Sequence, residues 1–177
     1  MPDPNYPWFA AVDGDDLVQG DILELCRIFR PPAELADTDT VAPIFDYEDR
    51  DVIVITQTCD LVKGREKVTE VVLCPIWKLS HYSAGILASP KGREEVRRGN
   101  LPGYHMLAPC ELTEFRRETR VVDFRQLFSL PLLFIRRQAT SAGRRIRLLP
   151  PYREHLAQAF ARYFMRVGLP IDIPAFK

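Results

Sequence analysis

The sequence predicts an α+β fold: a β-rich core elaborated by helices, with an amphipathic C-terminal helix packed on it. Three observations carry this expectation. Val52–Ile55 is a run of four β-branched residues, and Val71-Val72-Leu73-Cys74 a second apolar run, the composition of buried strands. Earlier, GDILELCRIF alternates, with Ile22, Glu24, Cys26 and Ile28 on one side and Leu23, Leu25, Arg27 and Phe29 on the other. Near the C-terminus, Leu156, Phe160, Tyr163, Phe164 and Val167 form one stripe at about 100° per residue.

The elements follow in order along what reads as one domain spanning residues 1–177. Residues 1–16 are expected to be a loosely structured lead-in anchored by Trp8 and Phe9, and 17–149 a β-rich body with insertions. Within that body the first strand runs from Leu17, enters through Gly20-Asp21 and stops at Pro31-Pro32. The acidic stretch AELADTDTVAPIFDYEDRD has no strong period and reads as a long excursion. DVIVITQT and TEVVLCPIW are the next two strands, joined through the polar KGRE. Ser89 then offers an N-cap, with Pro90 in the first turn and Gly99 at the end of a short helix. YHMLAPCEL, ETRVVDF, PLLFIR and RRIRLL supply shorter strands. The C-terminal helix, 150–168, begins after Pro150-Pro151 and stops at Gly168-Leu169-Pro170. Its second stripe, His155, Gln158, Arg162 and Arg166, faces solvent or an anion.

With 46% hydrophobic residues the chain is expected to fold, and no run approaches the ~18–20 apolar residues of a membrane span. The acidic, proline-containing start lacks the pattern of a signal peptide, so a cytoplasmic location without a membrane partner is expected. Cys26, Cys59, Cys74 and Cys110 are widely spaced and read as reduced thiols. Net charge is zero, yet residues 1–60 hold 14 acidic and 3 basic side chains, whereas 61–177 hold 10 and 21. Either the two halves present faces of opposite charge, or they neutralise each other within the fold.

Residues 17–77 resemble the small SH3-like barrel of the PemK/MazF family of toxin endoribonucleases. The likeness rests on Gln19-Gly20-Asp21-Ile22-Leu23, a long loop, the strand Val52-Ile53-Val54-Ile55-Thr56, and a third strand through Val71-Val72-Leu73-Cys74-Pro75. It implies a PemK/MazF-like barrel and a bacterial mobile-element, toxin–antitoxin or phage-defence setting. The family keeps an arginine before its second strand and a threonine after its third. Arg50 stands for the former, flanked by Asp49 and Asp51, but Ile76-Trp77-Lys78 follows Pro75 with no threonine. General acid–base cleavage of RNA therefore lacks an evident pair.

Cys59 could serve a thiol-dependent hydrolase given a base such as His81 or His105, but the negative charge of Asp60 disfavours the thiolate. The preferred reading makes Cys59 and Asp60 structural, with Asp60 holding a turn and Cys59 filling a small apolar space. Cys59, Asp60, His81, His105 and Cys110 are metal-ligand types without the close paired spacing of a zinc site, so neither metal nor cofactor is expected. Arg136, Arg137, Arg144, Arg145, Arg162 and Arg166 could form a basic binding surface for nucleic acid or for acidic segments of the chain itself. The function expected is a non-catalytic interaction or regulatory module with a protein partner; an RNA-cleaving toxin-like endoribonuclease is the alternative.

Overall fold

The computed structural model describes residues 6–31 and 46–165. Its fold is α+β, with eight antiparallel strands and three α-helices among the described residues. The strands are β1 (Phe9–Val12), β2 (Asp21–Arg30), β3 (Asp46–Val54), β4 (Glu70–Lys78), β5 (Tyr104–Leu107), β6 (Arg120–Asp123), β7 (Phe128–Pro131) and β8 (Arg145–Leu148). The helices are α1 (Pro90–Arg97), α2 (Leu132–Ala142) and α3 (Tyr152–Phe164). Strand order is β1-β8-β2-β3-β4-β6-β5, and β7 lies beside the first half of β4.

This path is open, because β1 and β5 end it without pairing to each other; the expected closed barrel is not formed. Helices cover both faces instead. Ile22, Ile53, Cys74 and Ile76 point to one face with Leu156 of α3, while Leu23, Val52, Val54 and Leu73 point to the other with Ile135 and Ala139 of α2. Adjacent residues of β3 thus enter different cores, which explains why VIVI is apolar throughout. No described helix is long and apolar enough to cross a membrane.

Four local expectations change. Phe9–Val12, placed in the loose lead-in, is a strand paired with β8, and Trp8 stacks on Tyr152 with ring centroids 3.7 Å apart. The strand read as 51–58 begins at Asp46 instead, since its acidic start pairs with the end of β2 and Arg27 meets Asp49. Residues 33–45 of the expected excursion, with Pro32 before it, lie outside the described residues. PLLFIR, read as a strand, splits into the end of β7 and the start of α2, because Leu132, Ile135 and Ala139 recur at helical spacing and are buried.

The fourth change concerns β2. Leu23 pairs with Val52 but Cys26 pairs with Arg50, so three steps along β2 match two along β3. The extra residue forms a bulge at Leu25, whose φ is 53° and whose amide donates to Asp51 Oδ1 at 3.0 Å. Beyond the bulge, Cys26 and Ile28 join the face of Leu23 rather than that of Ile22.

The end signals were legible. Ser89 Oγ accepts from Gly92 N at 3.0 Å, Pro90 opens α1, and Gly99 follows it at φ 76°. Gly92 is required by contact: a Cβ there would lie 1.8 Å from Ile86 O. In α3, Leu156 is buried and Phe160 and Tyr163 pack on the core, but Phe164 is mostly exposed. Val167 and the expected stop at 168–170 lie outside the described residues.

Candidate functional site

The strand exit after β3 is a pinned turn. Thr56 Oγ1 accepts from Val72 N at 2.7 Å, and Gln19 Nε2 donates to Ile55 O at 2.8 Å. Thr58 Oγ1 accepts from Gln19 N at 3.3 Å, and Leu61 is fully buried below the turn. Polar side chains thus satisfy the backbone as the chain leaves the core, as their types suggested. Cys59 departs from expectation. It sits exposed on the 3-10 turn Thr58–Asp60, because the helical turn points its side chain outward while Leu61 fills the interior. Its thiol donates to Asp60 Oδ1 at 3.5 Å, and Lys67 Nζ lies 3.5 Å from that same oxygen. Neither candidate histidine is a hydrogen-bond partner of Cys59 among the described residues.

Arg50 lies in a small cleft of about 230 Å³ with Asp49, Asp51, Trp77, Lys78 and His81. Its guanidinium is already engaged: Nε is 2.6 Å from Glu48 Oε1, Nη1 donates to Gln126, and the group lies 4.8 Å from the Trp77 ring centroid. Hydrogen bonds from Arg50, then Arg30, hold the Glu48 carboxyl below its ordinary pKa. A phosphate would have to displace Glu48 from this arginine.

The arginines proposed for a basic surface separate into different roles. Arg136 is buried, with Nη1 2.5 Å from Glu66 Oε1 and Nη2 donating to Leu61 O. Arg145 is buried too, donating to Asp21 and to the carbonyls of Gly14 and Asp16. Neither is available to an outside ligand, because each satisfies groups within the fold. Arg144 is exposed and paired with Glu114. Arg137 on α2 and Arg162 on α3 are exposed, but their helices cover opposite faces of the sheet. Arg166 lies outside the described residues. Part of the charge asymmetry is neutralised within the fold: among the described residues Asp21 meets Arg145 and Arg147, Glu24 meets Arg117 and Arg120, and Asp15 meets Lys63.

Two surfaces escaped the sequence reading. The first is an aromatic tip at the far end of the described β2–β3 ladder. Phe29 stands opposite Tyr47 in register with ring centroids 6.4 Å apart, and lies 5.7 Å from Phe134 of α2. Phe29, Tyr47 and neighbouring Leu133 are 42%, 56% and 69% exposed. Ion pairs Arg27–Asp49 and Arg30–Glu48 rim them, and the Arg27 guanidinium also lies over Tyr47 at 4.1 Å. The aromatic content of FDYEDRD was a signal, but the register across the long excursion was needed to bring Tyr47 to Phe29.

The second is a cleft between the end of α1, β5 and α3, about 340 Å³ in volume. His155, Gln158 and Arg162 of the exposed polar stripe of α3 line this open cleft, together with His105. Among the described residues no three His, Cys, Asp or Glu side chains gather as metal ligands. No protein-family model matches the chain, and no curated protein matches it.

Proposed function

We propose that this chain is a non-catalytic interaction module that docks a protein partner through the aromatic tip of the β2–β3 ladder. The observation carrying the reading is the exposed Phe29–Tyr47 pair, continued by Phe134 and rimmed by ion pairs. A contiguous aromatic patch with a charged rim has the composition of an interface centre, and aromatic side chains dominate binding energy there. The engaged state of Arg50, and a Cys59 thiol whose hydrogen-bond partner among the described residues is the carboxylate of Asp60 rather than a histidine, support a non-catalytic role. The PemK/MazF-like relationship, and the mobile-element, toxin–antitoxin or phage-defence setting, rest on the resemblance of residues 17–77 alone.

The test is recovery of partners from the native host with the tagged protein and with a Phe29→Ser/Tyr47→Ser variant. A partner retained by the parent and lost by the folded variant is expected; equal retention would refute the docking surface. Incubation with mixed-sequence RNA checks the alternative. No specific cleavage is expected, and cleavage abolished by Arg50→Ala would establish the nuclease instead.

A further inference from the structure

The cleft between α1, β5 and α3 is independent of the aromatic tip and has its own chemistry. Its α3 wall presents His155, Gln158 and Arg162, spaced i, i+3 and i+7 on one helix face. Arg97 and Arg98 form the opposite rim, and Val96, Pro102, Tyr104, Met106 and Ala159 give the cleft an apolar body. Among the described residues no Asp or Glu lines it. Arg97 and Arg98 both donate to Glu94 at 2.7 Å, a carboxylate outside the lining. Arg162 has no ion-pair partner among the described residues.

His105 adds a second, independent sign. Its Nε2 is shielded from water and has no hydrogen-bond partner among the described residues, although the ring packs near Phe124 with centroids 6.3 Å apart. Buried polar atoms are nearly always paired, so an unpartnered imidazole nitrogen in the lining of a cleft calls for an explanation. Burial, then His155 and Arg162, pull the His105 pKa down to about 4, so the ring is neutral near pH 7 and keeps one N–H to donate.

We infer that this cleft binds a small organic phosphate monoester, with the phosphate on Arg162, His155 and Gln158 and the organic body over Tyr104 and Met106. A guanidinium matches phosphate oxygens in a bidentate fork, and amide and imidazole N–H groups complete the donors. The volume falls at the lower end of small-molecule pockets, about 300–1,000 Å³, so it suits a ligand larger than a bare ion and no larger than a mononucleotide. A carboxylate ligand would use the same arginine, but the α3 wall carries three donor side chains on one helix face, which three phosphate oxygens use more fully.

Calorimetric titration of the full chain with AMP, adenosine and inorganic phosphate tests the assignment, alongside proton NMR of the His105 ring. Saturable AMP binding is expected, with adenosine inert and inorganic phosphate at least about tenfold weaker. Arg162→Gln, an exposed change with an unaltered melting curve, should weaken AMP about tenfold, which corresponds to roughly 1.4 kcal/mol. The His105 resonances should shift on AMP addition. Failure of AMP to bind at millimolar concentration, or binding unchanged by Arg162→Gln, would overturn the site. Equal affinity for inorganic phosphate would overturn the organic ligand. Loss of protein partners in the Phe29→Ser/Tyr47→Ser variant bears on the other surface and leaves this result unaffected.

Discussion

Arg145 and Asp21 form an ion pair wholly inside the fold: Nε donates to Oδ2 at 3.0 Å, and the side chains are 2% and 0% exposed. Arg147 Nε reaches the other carboxylate oxygen at 2.5 Å, and Val18 N donates to Oδ2 at 3.3 Å. The pair ties the entry of β2 to β8, and Arg145 also holds the Gly14 and Asp16 carbonyls that lead into it. Removing one member leaves the other charged and buried. Asp21→Ala should therefore cost about 3–5 kcal/mol, and Arg145→Ala less, because Arg147 still pairs with Asp21. Urea unfolding measures this, and an unchanged midpoint would refute it.

Acid should weaken the fold in two separable steps. Burial, with His155 and Arg162, lowers the His105 pKa from 6.5 to about 4, so the unfolded chain binds this proton first. Stability then falls as pH drops from 6.5 towards 4, and His105→Gln should flatten that limb. Hydrogen bonding from Arg117, against opposing desolvation and aided by the Arg117 and Arg120 charges, holds Glu24 below its ordinary 4.5. Its contribution is present above 4.5 and disappears as pH falls through the folded-state value. Glu24→Gln should remove that lower limb, read as thermal melts across pH.

The stripe of α3 divides by burial, and substitutions should follow that division. Leu156 is fully buried among Phe124, Ile146 and Leu148, so Leu156→Ala should cost about 2–5 kcal/mol. Phe164, at 56% exposed, should cost far less when truncated despite its size. Equal losses of Tm at the two positions would show that the helix docks differently.

Cys59 is exposed, whereas Cys26, Cys74 and Cys110 are buried. Burial pushes the Cys26 thiol up to about 12, adding protection from alkylation. A thiol reagent should label one of the four cysteines in the native protein and all of them in denaturant. Peptide mapping should place the native label at Cys59. Cys59→Ser should change stability by no more than about 0.5 kcal/mol, as for an ordinary surface substitution.

The sequence by itself determined the buried strands of VIVI and VVLCPIW, the cap and stops of α1, and the start of α3. These depend on residues close in the chain: β-branched runs, a serine before a proline, a periodic stripe. Only the tertiary structure decided that the sheet stays open, since closure depends on whether β1 and β5 meet. It also decided the face assignment of β2, because one bulged residue at Leu25 reverses the alternation that follows. The fates of Arg136 and Arg145 were settled in the same way. A guanidinium reads alike in sequence whether it faces water or a carboxylate 124 positions away, as Arg145 faces Asp21. The aromatic tip and the cationic cleft belong to this second class: each is assembled from residues far apart in the chain, so pairing and helix placement, rather than local spacing, bring them together.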